Sequence, residues 1–130
     1  MKYIYTATFK TDSNKVYARV PDLPGCVTTG KDLSEAIEMI ADAAALWLIT
    51  AEDNGDTIPQ PSTQGELRTD DDLEYSIICI DTIQYRAETD TRAVRKNVSL
   101  PAWMVSLADK HNINCSQLLQ DAILKKLDVA

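Results

Sequence analysis

Basic charge is scarce in this chain: 13 Lys and Arg stand against 20 Asp and Glu among 130 residues, with one His, one Phe and three Cys. Each shortage removes a class of function. Cys26, Cys79 and Cys115 are odd in number, far apart and without a CxxC pair. That pattern argues against zinc and dithiol chemistry and leaves buried or half-buried free thiols. The one histidine, His111, has no Cys or Ser partner at a recognisable spacing. It falls near the end of a helical stretch, where a helix-terminal role fits it better than catalysis. No apolar run approaches a membrane span, and the opening Met1-Lys2-Tyr3-Ile4 lacks a signal-peptide core. A cytoplasmic chain with no membrane contact, no metal and no cofactor is expected.

What charge there is divides unevenly. Residues 91–130 carry +3 and residues 1–90 carry −10, which together make the net −7. A basic tail can approach phosphates, whereas the acidic body repels nucleic acid and attracts something basic, so two different partners are implied. With 45% hydrophobic residues there is material for one modest core plus a dimerising module.

The last forty residues carry the clearest pattern. Val94, Val98 and Leu100 share one face of an alternating segment, and Arg95, Asn97 and Ser99 share the other, with Lys96 interrupting the apolar row. Pro101 then starts a helix with Met104, Leu107 and Ala108 at helical spacing. Asn112 can end it in a left-handed cap, and Asn114 can cap a second helix striped by Leu118, Leu119, Ala122, Ile123 and Leu127. One strand and two amphipathic helices leave the strand edge unsatisfied. A twofold partner, whose strand pairs antiparallel and whose helices close a shared core, resolves this. An outward row of Arg, Asn and Ser on a two-stranded ribbon suits the DNA major groove, where Arg reads guanine and Asn reads adenine. Residues 92–130 therefore resemble a ribbon-helix-helix domain of small bacterial repressors. Arg95, Lys96, Asn97 and Ser99 are its candidate DNA-binding residues on the ribbon, and Asn114, Cys115 and Ser116 are candidates for holding phosphate at the second helix.

The first part reads as a small three- to four-stranded antiparallel sheet with one covering helix, an α+β arrangement. Lys2 to Lys10 and Lys15 to Val20 alternate about the turn Asp12-Ser13-Asn14, and Val27 to Thr29 forms a short third strand. Asp32 with Glu35 makes a capping pair for a helix whose Leu33, Ile37, Ile40, Ala44, Trp47 and Leu48 can cover the sheet, and Gly55 ends it. A polar loop through Asp72 follows. Leu73 to Thr82 then reads as a fourth strand, apolar on both faces from Ile77 to Ile80 and so expected in the sheet interior.

These landmarks together resemble the HicB family of antitoxins. The carrying residues are the opening hairpin, the run Val20-Pro21-Asp22-Leu23-Pro24-Gly25-Cys26-Val27-Thr28-Thr29-Gly30, the helix beginning near Leu33-Ser34-Glu35-Ala36, Leu46-Trp47-Leu48, and Gly55 with Ile58-Pro59-Gln60-Pro61-Ser62. The resemblance implies a partial ribonuclease-H-like, toxin-binding domain over residues 1–85, a linker over 86–91 and a ribbon-helix-helix domain over 92–130. It also implies a HicA-type toxin partner, a small RNA-cleaving protein with a catalytic histidine, and self-association as a homodimer or a dimer of dimers through paired N-terminal sheets. Operator DNA is the third partner. Asp22, Asp70, Asp71, Asp72 and Glu74 are the candidate toxin contacts, set against the plainer reading of a solvated acidic loop.

Ribonuclease-H-type cleavage needs several carboxylates around divalent metal, one of them on the first strand. Tyr3 to Phe9 contains no acid, Asp22 lies in a loop, and Glu35 and Glu38 fit a solvated helix face, so no catalytic residue is assigned. Two further readings stay open: a repressor with a sensory or orphan N-terminal domain, and a nuclease.

Overall fold

Strands β1 (Lys2–Asp12) and β2 (Lys15–Arg19) form an antiparallel hairpin in the computed structural model, which describes residues 1–129. Residue 130, where the expected domain 92–130 ends, lies outside the described residues. The turn is tight because Ser13 adopts a φ of 55°, and Asp12 pairs directly with Lys15. Tyr5, Ala7 and Phe9 point inward, as their alternation demands, beside Val16 and Ala18 of β2. Strand β3 (Val27–Gly30) pairs with β2 after a loop closed by Val20 N–H to Cys26 O at 3.0 Å and Cys26 N–H to Leu23 O at 3.0 Å.

Helix α1 (Leu33–Asn54) lies across one face of the sheet. Asp32 caps its start by accepting from Glu35 N–H at 2.8 Å. Gly55, at a φ of 70°, closes its end while Asp56 N–H reaches Ala51 O at 2.9 Å. The buried face is narrower than its apolar spacing predicts. Ala36, Ile40, Ala44, Ala45, Leu48 and Ala51 are buried, whereas Leu33 and Ile37 are exposed. Small residues let the helix sit close to the sheet. At Gly30 the approach is closest, since a Cβ there would meet Ala36 N at 2.5 Å.

The fourth strand corrects an expectation. β4 (Glu74–Asp81) lies at the edge, in the strand order β3-β2-β1-β4, and its outward residues Ile77 and Cys79 are exposed. Apolar side chains on both faces do not require a central strand when the second face meets solvent. Of the three free cysteines only Cys26 is buried, and burial raises its thiol pKa.

Two short helices were not legible in the sequence: α2 (Gln64–Leu67), a single turn in the polar loop, and α3 (Thr82–Thr89), capped by Asp81 on the amides of Ile83 and Gln84. The linker expected at 86–91 thus begins inside α3. The chain divides into two compact units, Lys2–Asp90 and one that begins at Thr91. The second holds α4 (Ala102–Lys110) and α5 (Cys115–Val129).

Candidate functional site

The acidic candidates of the first unit have separate fates. Asp22 is half-buried and engaged: its carboxylate accepts from Ser62 N–H at 2.8 Å and Ser62 Oγ–H at 2.7 Å, tying two proline-flanked loops together. It adds an electrostatic push to the burial that raises the Tyr5 pKa. Asp70, Asp71, Asp72 and Glu74 come together in the turn entering β4, all exposed. Asp70 Oδ1 accepts from Asp72 N–H at 2.9 Å, so the acidic run is a formed turn.

Sequence reasoning missed a polar clasp built around Glu52. Tyr3 Oη–H donates to Glu52 Oε2 at 2.7 Å and Thr82 Oγ1–H to the same oxygen at 2.9 Å. Arg86 Nη2 donates to Glu52 Oε1 at 3.1 Å and to Asp53 Oδ1 at 2.8 Å. One carboxylate thus ties β1, α1 and the start of α3. Burial, and then the bond to Glu52, pushes the Tyr3 pKa from 10.0 up to about 12. Hydrogen bonding to Asp53 is the largest influence raising the Arg86 pKa, with Glu52 adding to it and burial opposing. Nothing local announces this pairing, because Glu52 and Arg86 are 34 residues apart.

The charge of α1 is one-sided: its 22 residues include Glu35, Glu38, Asp42, Glu52 and Asp53 and no Lys or Arg. Beside the helix, a cleft of about 560 Å³ is lined by α1, α3 and the neighbouring ends of β1 and β4. It combines an apolar floor with three acidic residues, Asp42, Asp81 and Glu88, and one basic residue, Lys2.

In the second unit, Asn112 takes a φ of 54° and Ile113 N–H reaches Ala108 O at 2.9 Å, the left-handed cap expected for α4. Asn114 Oδ1 accepts from Gln117 N–H at 3.1 Å and so caps α5, placing Cys115 and Ser116 in its first turn. Arg95, Lys96, Asn97 and Ser99 are exposed, on a segment without regular secondary structure. The expected strand is therefore not formed in the single chain. Leu100, Met104, Leu107, Ile113, Leu118 and Leu119 line an apolar groove of about 450 Å³, and among the described residues of this unit only Ala108 is buried. His111 sits at the end of α4 with its backbone N–H on Leu107 O at 3.0 Å.

No helix among the described residues is long and apolar enough to cross a membrane. The fold is shared with solved antitoxins. A chain of a toxin–antitoxin complex from Streptococcus pneumoniae is 23% identical, with 97% of this chain and 99% of that one covered and a TM-score of 0.56. The antitoxin HicB of Burkholderia pseudomallei is 20% identical, with 98% of each chain covered and a TM-score of 0.55. A chain of the HicA3 and HicB3 toxin–antitoxin complex is 18% identical, covering 61% of this chain and 99% of its own, with a TM-score of 0.52. Among curated protein sequences none matches the chain. Residues 5–127 match the HicB-like antitoxins of bacterial toxin–antitoxin systems, and the chain belongs to that family.

Proposed function

We propose that this antitoxin neutralises a HicA-type ribonuclease by occupying its surface, without catalysis of its own, and represses its own operon by binding operator DNA as a dimer. The observation that carries the DNA-binding half is the exposure of nearly every large apolar side chain beyond Thr91. Such helices are stable only when a partner covers them. A second copy does so with matched chemistry. Two segments spanning Val94–Leu100 pair antiparallel, and the grooves lined by Leu107 and Leu118 close on each other. Arg95, Asn97 and Ser99 then project from the ribbon toward base edges. Lys96 reaches a phosphate along the edge, and the Cys115 and Ser116 amides, ahead of the capped turn, receive another.

The toxin-binding half rests on charge. A unit carrying −10 over residues 1–90 attracts a basic RNA-binding protein and repels RNA, so inhibition works by covering the toxin's catalytic histidine or RNA surface. The test is co-expression with the product of the adjacent reading frame. The basic product should co-purify, its toxicity should vanish, and the complex should shift DNA carrying the operon's promoter but not a scrambled duplex. An Arg95→Ala, Asn97→Ala variant that stays a folded dimer and keeps its operator preference would rule out reading by the ribbon.

A further inference from the structure

The toxin-binding reading leaves open where on the acidic unit the partner sits, and the geometry points to the free edge of β4 and the cleft beside it as the seat of an extended, cationic segment of the toxin. This inference rests on that reading. Three observations converge on it.

The first is the edge itself. Exposed sheet edges in soluble proteins are kept short, bent, or guarded by Lys and Pro, because an unpaired row of amides and carbonyls is a template for another strand. β3, at the opposite edge, has 4 residues. β4 has 8, Glu-Tyr-Ser-Ile-Ile-Cys-Ile-Asp, with no Lys, Arg or Pro among them and with Ile77 59% exposed. A long edge that is apolar between acidic ends, with no Lys or Pro to block it, can be paired by a strand of opposite charge.

The second is the cleft. It follows the end of β4 through Cys79, Ile80 and Asp81, under Ala41 and Ala45 of α1 and beside Tyr85 of α3. An apolar floor suits the stem of a Lys or Arg side chain, which leaves its charged head at the rim.

The third is the charge of that rim. Asp42, Asp81 and Glu88 line the cleft against one cation, Lys2, so its lining is net acidic; Asp42 and Glu88 are exposed, Asp42 makes no ion pair among the described residues, and Glu88 accepts a bond of 3.0 Å from the neutral Gln84 amide. Charge also decides between occupants. Two copies of β4 paired antiparallel in full register would set Glu74 of each opposite Asp81 of the other, and like charges directly opposite destabilise a sheet. A cationic strand meets the same positions with opposite sign, so the partner fits better than a second copy. The acidic turn Asp70-Asp71-Asp72 then steers the approach without forming the contact.

The experiment uses the full-length protein and the toxin encoded beside it, with the toxin's catalytic histidine replaced so that it can be purified. Asp42→Lys with Glu88→Lys is compared with Asp71→Lys with Asp72→Lys, two pairs that change net charge equally. Binding is measured by calorimetric titration at low and high salt. The cleft pair should weaken affinity tenfold or more at both salt concentrations, and the loop pair less than threefold at high salt. Equal losses in both pairs, or no loss in the cleft pair, overturn the assignment. Should the cleft pair fail to fold, hydrogen exchange on the wild type answers instead. Amides of residues 74–81 should slow when toxin is added, and exchange unchanged by toxin, or already slowed by raising the antitoxin concentration alone, overturns it. A wild-type protein that binds no toxin removes the antitoxin reading itself, and this inference with it.

Discussion

In the unit Lys2–Asp90, Tyr5, Phe9, Leu23, Ile40 and Leu48 are almost fully enclosed, whereas in the unit that begins at Thr91 even Leu118, on a helix face of regular apolar spacing, is 58% exposed. Amphipathic sequence is present in both. What differs is whether one chain supplies the opposing layer: α1 covers a sheet made by the same chain, while the large apolar side chains described on α4 and α5 stay exposed. On the proposed dimer, the first unit's stability would be an intrinsic quantity and the second's would depend on protein concentration.

Breaking the second unit without touching the first gives the largest effect. Leu107→Asp with Leu118→Asp places charges in the groove that a second copy is proposed to fill. It should convert a dimer to a monomer and abolish operator binding, while the thermal transition of the first unit stays within a few degrees of wild type. Analytical ultracentrifugation and calorimetry read the two halves separately, and a single merged loss of structure would break the contrast between them.

Gly30→Ala tests the other side. Its Cβ would sit 2.5 Å from the Ala36 nitrogen, a backbone atom that cannot swing away, so β3 or the start of α1 must shift. A loss of about 2–3 kcal/mol is expected in urea unfolding, as for overpacking elsewhere. Dimerisation through the second unit should be unaffected.

Arg86→Ala removes the cation from the clasp while Glu52, whose side chain is 12% exposed, keeps its charge and its bonds to Tyr3 and Thr82. Because Arg86 is itself 39% exposed, the expected loss is moderate, about 1–2 kcal/mol. α3 should fray first, visible as faster hydrogen exchange over residues 82–89.

Tyr3→Phe should give the smallest loss at neutral pH, about 0.5–1.5 kcal/mol, because Glu52 keeps its bonds from Thr82 and Arg86 when this one is removed. Its signature is in alkali. Tyr3 is held neutral in the fold, with its pKa raised from 10.0 to about 12, so its contribution is intact below pH 10 and is lost as pH rises toward 12. In Tyr3→Phe that part of the alkaline decline should disappear, and with it the tyrosinate absorbance step near pH 12.

Where local chemistry decided structure, the sequence was sufficient. Asp32 and Gly55 bound α1 as their cap chemistry required, Ser13 turned the first hairpin, and Asn112 divided α4 from α5. Where a distant neighbour decided, it was not. α3 is held by Arg86 on Glu52 and Asp53 rather than by an apolar stripe, and so gave no periodic signal. β4 was expected inside because Ile77 and Ile78 point to opposite faces, but periodicity cannot say whether a second face is covered. Asp22 looked like any acidic loop residue until Ser62, 40 positions away, met its carboxylate. Among the ribbon candidates, Arg95 and Asn97 can be recognised by residue type, yet in the single chain they lie on a segment without regular secondary structure, and the strand proposed to aim them would need a second molecule.

The irregular stretch between α3 and α4 sets a length scale for that second molecule's effect. Fully extended, residues 91–101 reach at most about 40 Å, and α3, pinned by Arg86, fixes one end of that reach. If residues 94–100 are taken up by the paired ribbon, only residues 91–93 remain slack, about 10 Å. On the proposed function, dimerisation would then shorten the leash on each first unit by more than half, and so would restrict where a bound toxin could lie beside the DNA.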